Sequence, residues 1–145
     1  MDLTTEGWLP VVMQDNARLK IPLTNILDDN IFDVSYPRAD FQGAAWQMLI
    51  GLLQTTVAPE DEEEWREVWK NGIDKQAWKK ALSAIAPAMQ FGAVKPAFLQ
   101  SFEPLESENS SVAGLLIDAP GGNTLKLNKD HFVKRHVGQK ICPHC

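Results

Sequence analysis

Apolar positions near the start of the chain alternate with polar ones, and those in the middle recur at three- and four-residue steps. Trp8-Leu9-Pro10-Val11-Val12-Met13 is β-prone, Gln14-Asp15-Asn16-Ala17 is turn-like, and Arg18-Leu19-Lys20-Ile21 alternates, which predicts a hairpin. Pro10 and Pro22 lack a backbone donor, which argues for edge positions. Thr24 can cap a short helical turn carrying Ile26 and Leu27. Ile31 to Tyr36 reads as a further strand, closed by Pro37.

The strongest periodicity runs from Arg38 to Ala58. Phe41, Ala44, Ala45, Met48, Leu49, Leu52 and Leu53 form a helical stripe, and Trp46, Ile50 and Val57 widen it almost all the way round. That predicts a central, buried helix ended by Pro59. Glu60 to Glu64 are five consecutive acids that suit the positive end of a second helix. Trp65, Val68 and Trp69 are its expected inner face, and Gly72 its stop. Asp74 can cap a third helix, with Trp78, Ala81, Leu82 and Ile85 on one side and Pro87 at its end.

Later segments are less regular. Phe98-Leu99 is a short apolar piece, and Glu103 to Ser111 a polar loop expected to be mobile. The apolar runs Val112 to Ile117 and Thr124 to Leu127 flank turn chemistry in Asp118-Ala119-Pro120-Gly121-Gly122-Asn123, which predicts a hairpin or loop-crossing. The expected fold class is therefore α+β: an N-terminal β-hairpin and later strands packed around a central buried helix, with two further helices. The expected organisation is an α+β body over 1–127, followed by a basic loop and cysteine pair over 128–145.

At 145 residues, 44% hydrophobic and 23% charged, the chain has the size and proportions of one globular domain. No run reaches the roughly 18 apolar residues of a membrane span, because Gln42, Gln47, Gln54, Thr55 and Thr56 interrupt the best candidate. Asp2 and Glu6 stand where a secretory signal carries basic residues, and two cysteines are too few for a disulfide scaffold. A soluble, cytoplasmic domain is expected. The charge is uneven: residues 1–121 hold nine basic and 18 acidic side chains, whereas residues 122–145 hold five basic ones against Asp130. Such a split points to a tail with a task of its own, or to a solvated basic end.

Chemistry concentrates in that tail. Cys142-Pro143-His144-Cys145 spaces two thiols to face one metal ion, which is half of a tetrahedral zinc site. The same letters suit free thiols, or a thiol oxidoreductase. The latter needs a helix after the motif to lower the thiol pKa, and the sequence ends at Cys145. Asp28-Asp29 and Glu60 to Glu64 offer carboxylates, but at a loop and at a helix start, where acids need no catalytic explanation. Five tryptophans (Trp8, Trp46, Trp65, Trp69, Trp78) fall on expected inner faces, and core packing is the reading for at least four. No nucleophile–base pair stands out, so an enzyme is not expected. Lys126, Lys129, Lys134, Arg135 and Lys140 surround Phe132, with His131 and His136 close by. Cations track phosphates, and a flanked aromatic can stack on a base.

Gly7-Trp8-Leu9-Pro10-Val11, Tyr36-Pro37-Arg38-Ala39-Asp40, Leu52 to Ala58, and Pro59-Glu60-Asp61 occur in an order that resembles the CasA family. Leu115 to Gly121, Asn128 to Arg135, and Cys142 with Cys145 complete the series. CasA is the large subunit of the type I-E CRISPR surveillance complex Cascade, and the resemblance is to its N-terminal part. It implies a non-enzymatic subunit that recognises the protospacer-adjacent motif (PAM) and helps admit target double-stranded DNA to the guide RNA. The implied partners are other Cascade subunits, the guide RNA, target DNA and the helicase-nuclease recruited to Cascade, with no membrane. A nucleic-acid-contacting loop of the family maps onto Phe132 through Gln139, so Lys129, Phe132, Lys134, Arg135 and Lys140 are the expected nucleic-acid-binding residues. Cys142 and Cys145 are the expected zinc ligands, with the family's second cysteine pair not in this sequence. The competing reading is a small stand-alone interaction module, an adaptor or decoy, motivated by an acidic body that repels phosphate.

Overall fold

The computed structural model describes residues 1–92, 97–101, 103, 106, 112–116 and 119–131, in two compact units, Met1–Phe102 and Glu103–Cys145. The first unit opens on three antiparallel strands, β1 (Leu9–Met13), β2 (Arg18–Ile21) and β3 (Ile31–Val34), in the order β2-β1-β3. The hairpin closes where Met13 N donates to Ala17 O at 2.8 Å, with Asn16 at φ 66°. Asparagine tolerates that left-handed conformation because its short amide hydrogen-bonds locally. Alternation sends Leu9 and Val11 to one side, where both are fully buried with Ile21 and Val34.

The register corrects one expectation. Pro10 lies in the central strand, opposite Lys20, and not at an edge. Its carbonyl accepts from Ser35 N at 2.8 Å, one residue past the end of β3. The missing donor therefore faces the point where the ladder is already running out, and little is lost.

After the strands, α1 (Ala39–Thr56) is tied back to the sheet by Gln42, which accepts from Tyr36 N at 2.9 Å and donates to the Val34 carbonyl. Its buried residues are Ala45 and Leu49, whereas Trp46 and Ile50 remain about half exposed. The apolar stripe is thus wider than the face that packs. The second helix, α2 (Glu62–Asn71), starts as its acids predict: Asp61 accepts from Glu64 N, and the Glu64 carboxylate from Glu60 N, both at 2.9 Å. Gly72 ends it at φ 75°. Asp74 caps α3 (Lys75–Ile85) by accepting from Ala77 N at 2.7 Å.

The core gathers where α3 meets the start of the chain. Trp78 and Leu82 are fully buried beside Leu23, and the Trp78 indole donates to Leu23 O at 2.9 Å. A 3-10 turn, Ala86–Met89, buries Met89, whose carbonyl accepts from Leu3 N at 3.0 Å. The tryptophan expectation needs correction. Trp78 is the fully buried one, Trp8 is half-buried with its indole on Leu3 O at 2.8 Å, and Trp46, Trp65 and Trp69 are exposed.

In the second unit the strands expected over 112–127 are replaced by a 3-10 turn, Val112–Leu115, and a short helix, α4 (Gly122–Lys126). The bonds there are local: Leu125 N to Gly121 O at 3.1 Å, and Leu127 N to Asn123 O at 3.0 Å. A four-residue apolar run cannot distinguish a strand from a helical turn by period alone, and a strand needs a partner ladder. The loop expected to be mobile, 103–111, lies outside the described residues except for Glu103 and Glu106.

Candidate nucleic-acid interface

Lys129 lies just past α4. Asn128, at φ 50°, turns the chain there, and Lys129 N donates back to Thr124 O at 2.9 Å, so the backbone of Lys129 is anchored to the helix it follows. Its side chain is exposed, as are those of Lys126 in the last turn of α4 and of His131. Cations at this end suit the helix carbonyls, and the same exposure leaves them accessible to phosphate. Phe132, Lys134, Arg135 and Lys140 lie outside the described residues, as do Cys142 and Cys145. Two thiolates are half of a tetrahedral set. Among the described residues no group of three or more His, Cys, Asp or Glu is arranged to hold a metal ion.

The carboxylates of the first unit have structural tasks. Asp28 accepts from the Asn30 amide and side chain, both at 3.0 Å, which shapes the turn into β3. Asp29 receives Lys75 at 2.9 Å; that hydrogen bond pulls the carboxyl below its ordinary range and lifts the ammonium. Asp40 is likewise held low by the hydrogen bond from Arg38, which grips both its oxygens at 3.1 and 2.8 Å while lying 5.2 Å over the Phe41 ring. Asp2 is lowered chiefly by the Thr4 hydroxyl. Each of these partners is a local structural one.

Sequence reasoning missed the surface of α2. Trp65 and Trp69 stack at 5.6 Å with planes 9° apart, outside the core in which they were expected. The available signal was the acid content of residues 60–71, six acids against two bases, which leaves a narrow apolar stripe for packing.

An α+β scaffold with exposed cations after its last described helix defines a binding domain in form, and the comparisons give it a family. The chain belongs to the family of CRISPR-associated protein Cse1, whose family model matches residues 2–145. It is similar to the crystal structure of Thermobifida fusca Cse1, with 18% identity and a TM-score of 0.71 over 87% of this chain and 25% of that one. CasA from Thermus thermophilus matches at 18% identity and a TM-score of 0.65, over 80% of this chain and 25% of its own. Cse1 from Acidimicrobium ferrooxidans matches at 22% and 0.56, over 61% of this chain and 18% of its own. At these identities the structures speak for the fold. The chain spans about a quarter of the length of the solved structures it matches. No curated protein matches it. Among the described residues no helix is long and apolar enough to cross a membrane.

Proposed function

We propose that this chain works within the large subunit of a type I-E CRISPR Cascade complex, where it contributes to PAM-dependent recognition of target double-stranded DNA in antiviral defence. The observation that carries the reading is the family match across residues 2–145. The role is one of binding and not of catalysis, in the cytoplasm, with other Cascade subunits, the guide RNA, target DNA and the recruited helicase-nuclease as partners. Lys129, Lys134, Arg135 and Lys140 meet phosphates, and Phe132 stacks on a base or groove wall. Exposure of Lys126, Lys129 and His131 supports this, because solvated cations at a helix end reach a phosphate without a burial penalty. Zinc held by Cys142 and Cys145 would fix the end of that loop, with the other half of its coordination coming from outside this chain.

The test is a salt titration of duplex binding by the 145-residue chain, followed by anisotropy of a labelled DNA. Lys134→Ala with Arg135→Ala is expected to weaken binding by an amount that shrinks as salt rises, since fewer counterions are released. Phe132→Ala is expected to cost about 1–3 kcal/mol with an unchanged salt slope, because stacking is not screened. If neither variant changes binding, these residues do not contact DNA. Absence of salt-dependent binding in the unaltered chain would favour a protein-interaction module.

A further inference from the structure

Every residue of α2 is exposed except Val68, which is half-buried, so the helix adds almost nothing to the core. It nevertheless carries two indoles one turn apart, Trp65 at 53% and Trp69 at 78% exposure, stacked on each other. Large aromatic surfaces left in water are costly and characteristically mark contact sites. The charge around them is one-sided. Residues 60–71 hold six acids against two bases, and one of those bases, Arg66, is turned onto Glu62 of the same helix at 2.7 Å. On another side of α2, a groove of about 560 Å³ repeats the pattern, with Val57, Val68 and Ile73 on its floor beside Glu64 and Glu67.

This combination selects its occupant. A nucleic acid could stack on the indoles, but its phosphates would meet Glu62, Glu63 and Glu67. A second copy docking α2 on α2 would set six acids against six. A neutral apolar surface would strip water from those acids without pairing them. A cation gains from both parts: its charge lies over an indole face, and its remaining donors reach a carboxylate.

We propose that α2 is a docking surface for a cationic segment of a protein partner, whose Arg and Lys side chains lie over the Trp65–Trp69 pair and against the acids beside it. This goes beyond the nucleic-acid reading and does not depend on it.

The test titrates the ¹⁵N-labelled chain with a nona-arginine peptide and follows the indole N–H resonances. Trp8 and Trp78, whose indoles are hydrogen-bonded to Leu3 O and Leu23 O, serve as internal references for an intact fold. The resonances of Trp65 and Trp69 are expected to shift while that of Trp78 stays fixed. Trp69→Ala should weaken binding about tenfold and Trp69→Phe by less, as a cation–aromatic contact requires. Glu63→Gln with Glu67→Gln should also weaken it, by an amount that shrinks with added salt. Equal affinity in Trp69→Ala and the unaltered chain, with Trp78 unmoved, overturns the proposal. So does a shift of the Trp65 and Trp69 resonances on adding oligo-dT but not the peptide, which assigns the face to nucleic acid. A shift on raising protein concentration alone assigns it to a second copy.

Discussion

Gly7 runs so close to β2 that a Cβ placed on it would lie 2.8 Å from the carbonyl oxygen of Lys20. That carbonyl is backbone and cannot swing aside as a flexible side chain would. Gly7→Ala is expected to lower stability by about 1–3 kcal/mol, the usual range for a forced overlap, read as a lower urea midpoint. Asp40 supplies a second residue-scale expectation. Its carboxyl is held below the ordinary range by Arg38, so the contact stabilises the fold above the unfolded carboxylate pKa, about 4, and the contribution disappears as pH falls through the depressed folded value. Denaturant midpoints of Asp40→Asn and the unaltered chain should differ at pH 6 and converge near pH 3. The gap will be small because the pair is solvated. A constant gap at both values would mean that the carboxylate charge is not what Arg38 recognises.

Among the elements, α1 and α2 separate two properties that look alike in a sequence. Both carry apolar residues at helical spacing, but α1 buries Ala45 and Leu49 while α2 buries neither of its tryptophans. Ala45→Asp places an unpaired charge in the core and is expected to cost about 3–5 kcal/mol. Gln47→Asp, on the exposed side of α1, should leave stability within about 0.5 kcal/mol. Thermal melts of the two variants check this, and an unaltered melting temperature in Ala45→Asp would remove that face of α1 from the core. The helix ends were legible because they are made locally: Asp61 and Asp74 hold amides three residues ahead, and Gly72 takes a positive φ. The strands over 112–127 were misread because their evidence was two short apolar runs, which one turn of helix satisfies equally well.

For the molecule as a whole, the Cys-Pro-His-Cys tail bears on metal content. Two thiolates leave half of a tetrahedral zinc site to water, so the 145-residue chain is expected to lose zinc on dialysis against a chelator. Measuring zinc by atomic absorption after dialysis checks this. Stoichiometric retention would mean that all four ligands lie within the chain, or that two molecules share an ion. Of the residues expected to act there, Lys129 is the one whose setting is described: it is exposed, and its amide is bonded to Thr124 O.

The amino-acid sequence by itself determined the α+β class, the hairpin, the three main helices with their caps, and the family, because each depends on local spacing or on motifs in order. Only the tertiary structure decided that β1 is the central strand despite Pro10, that Trp78 alone of the five tryptophans is fully buried, and that Trp65 and Trp69 face water. Periodicity tells which side of an element is apolar. Whether anything covers that side depends on residues distant in the chain, as when Trp78 reaches across 55 positions to the carbonyl of Leu23.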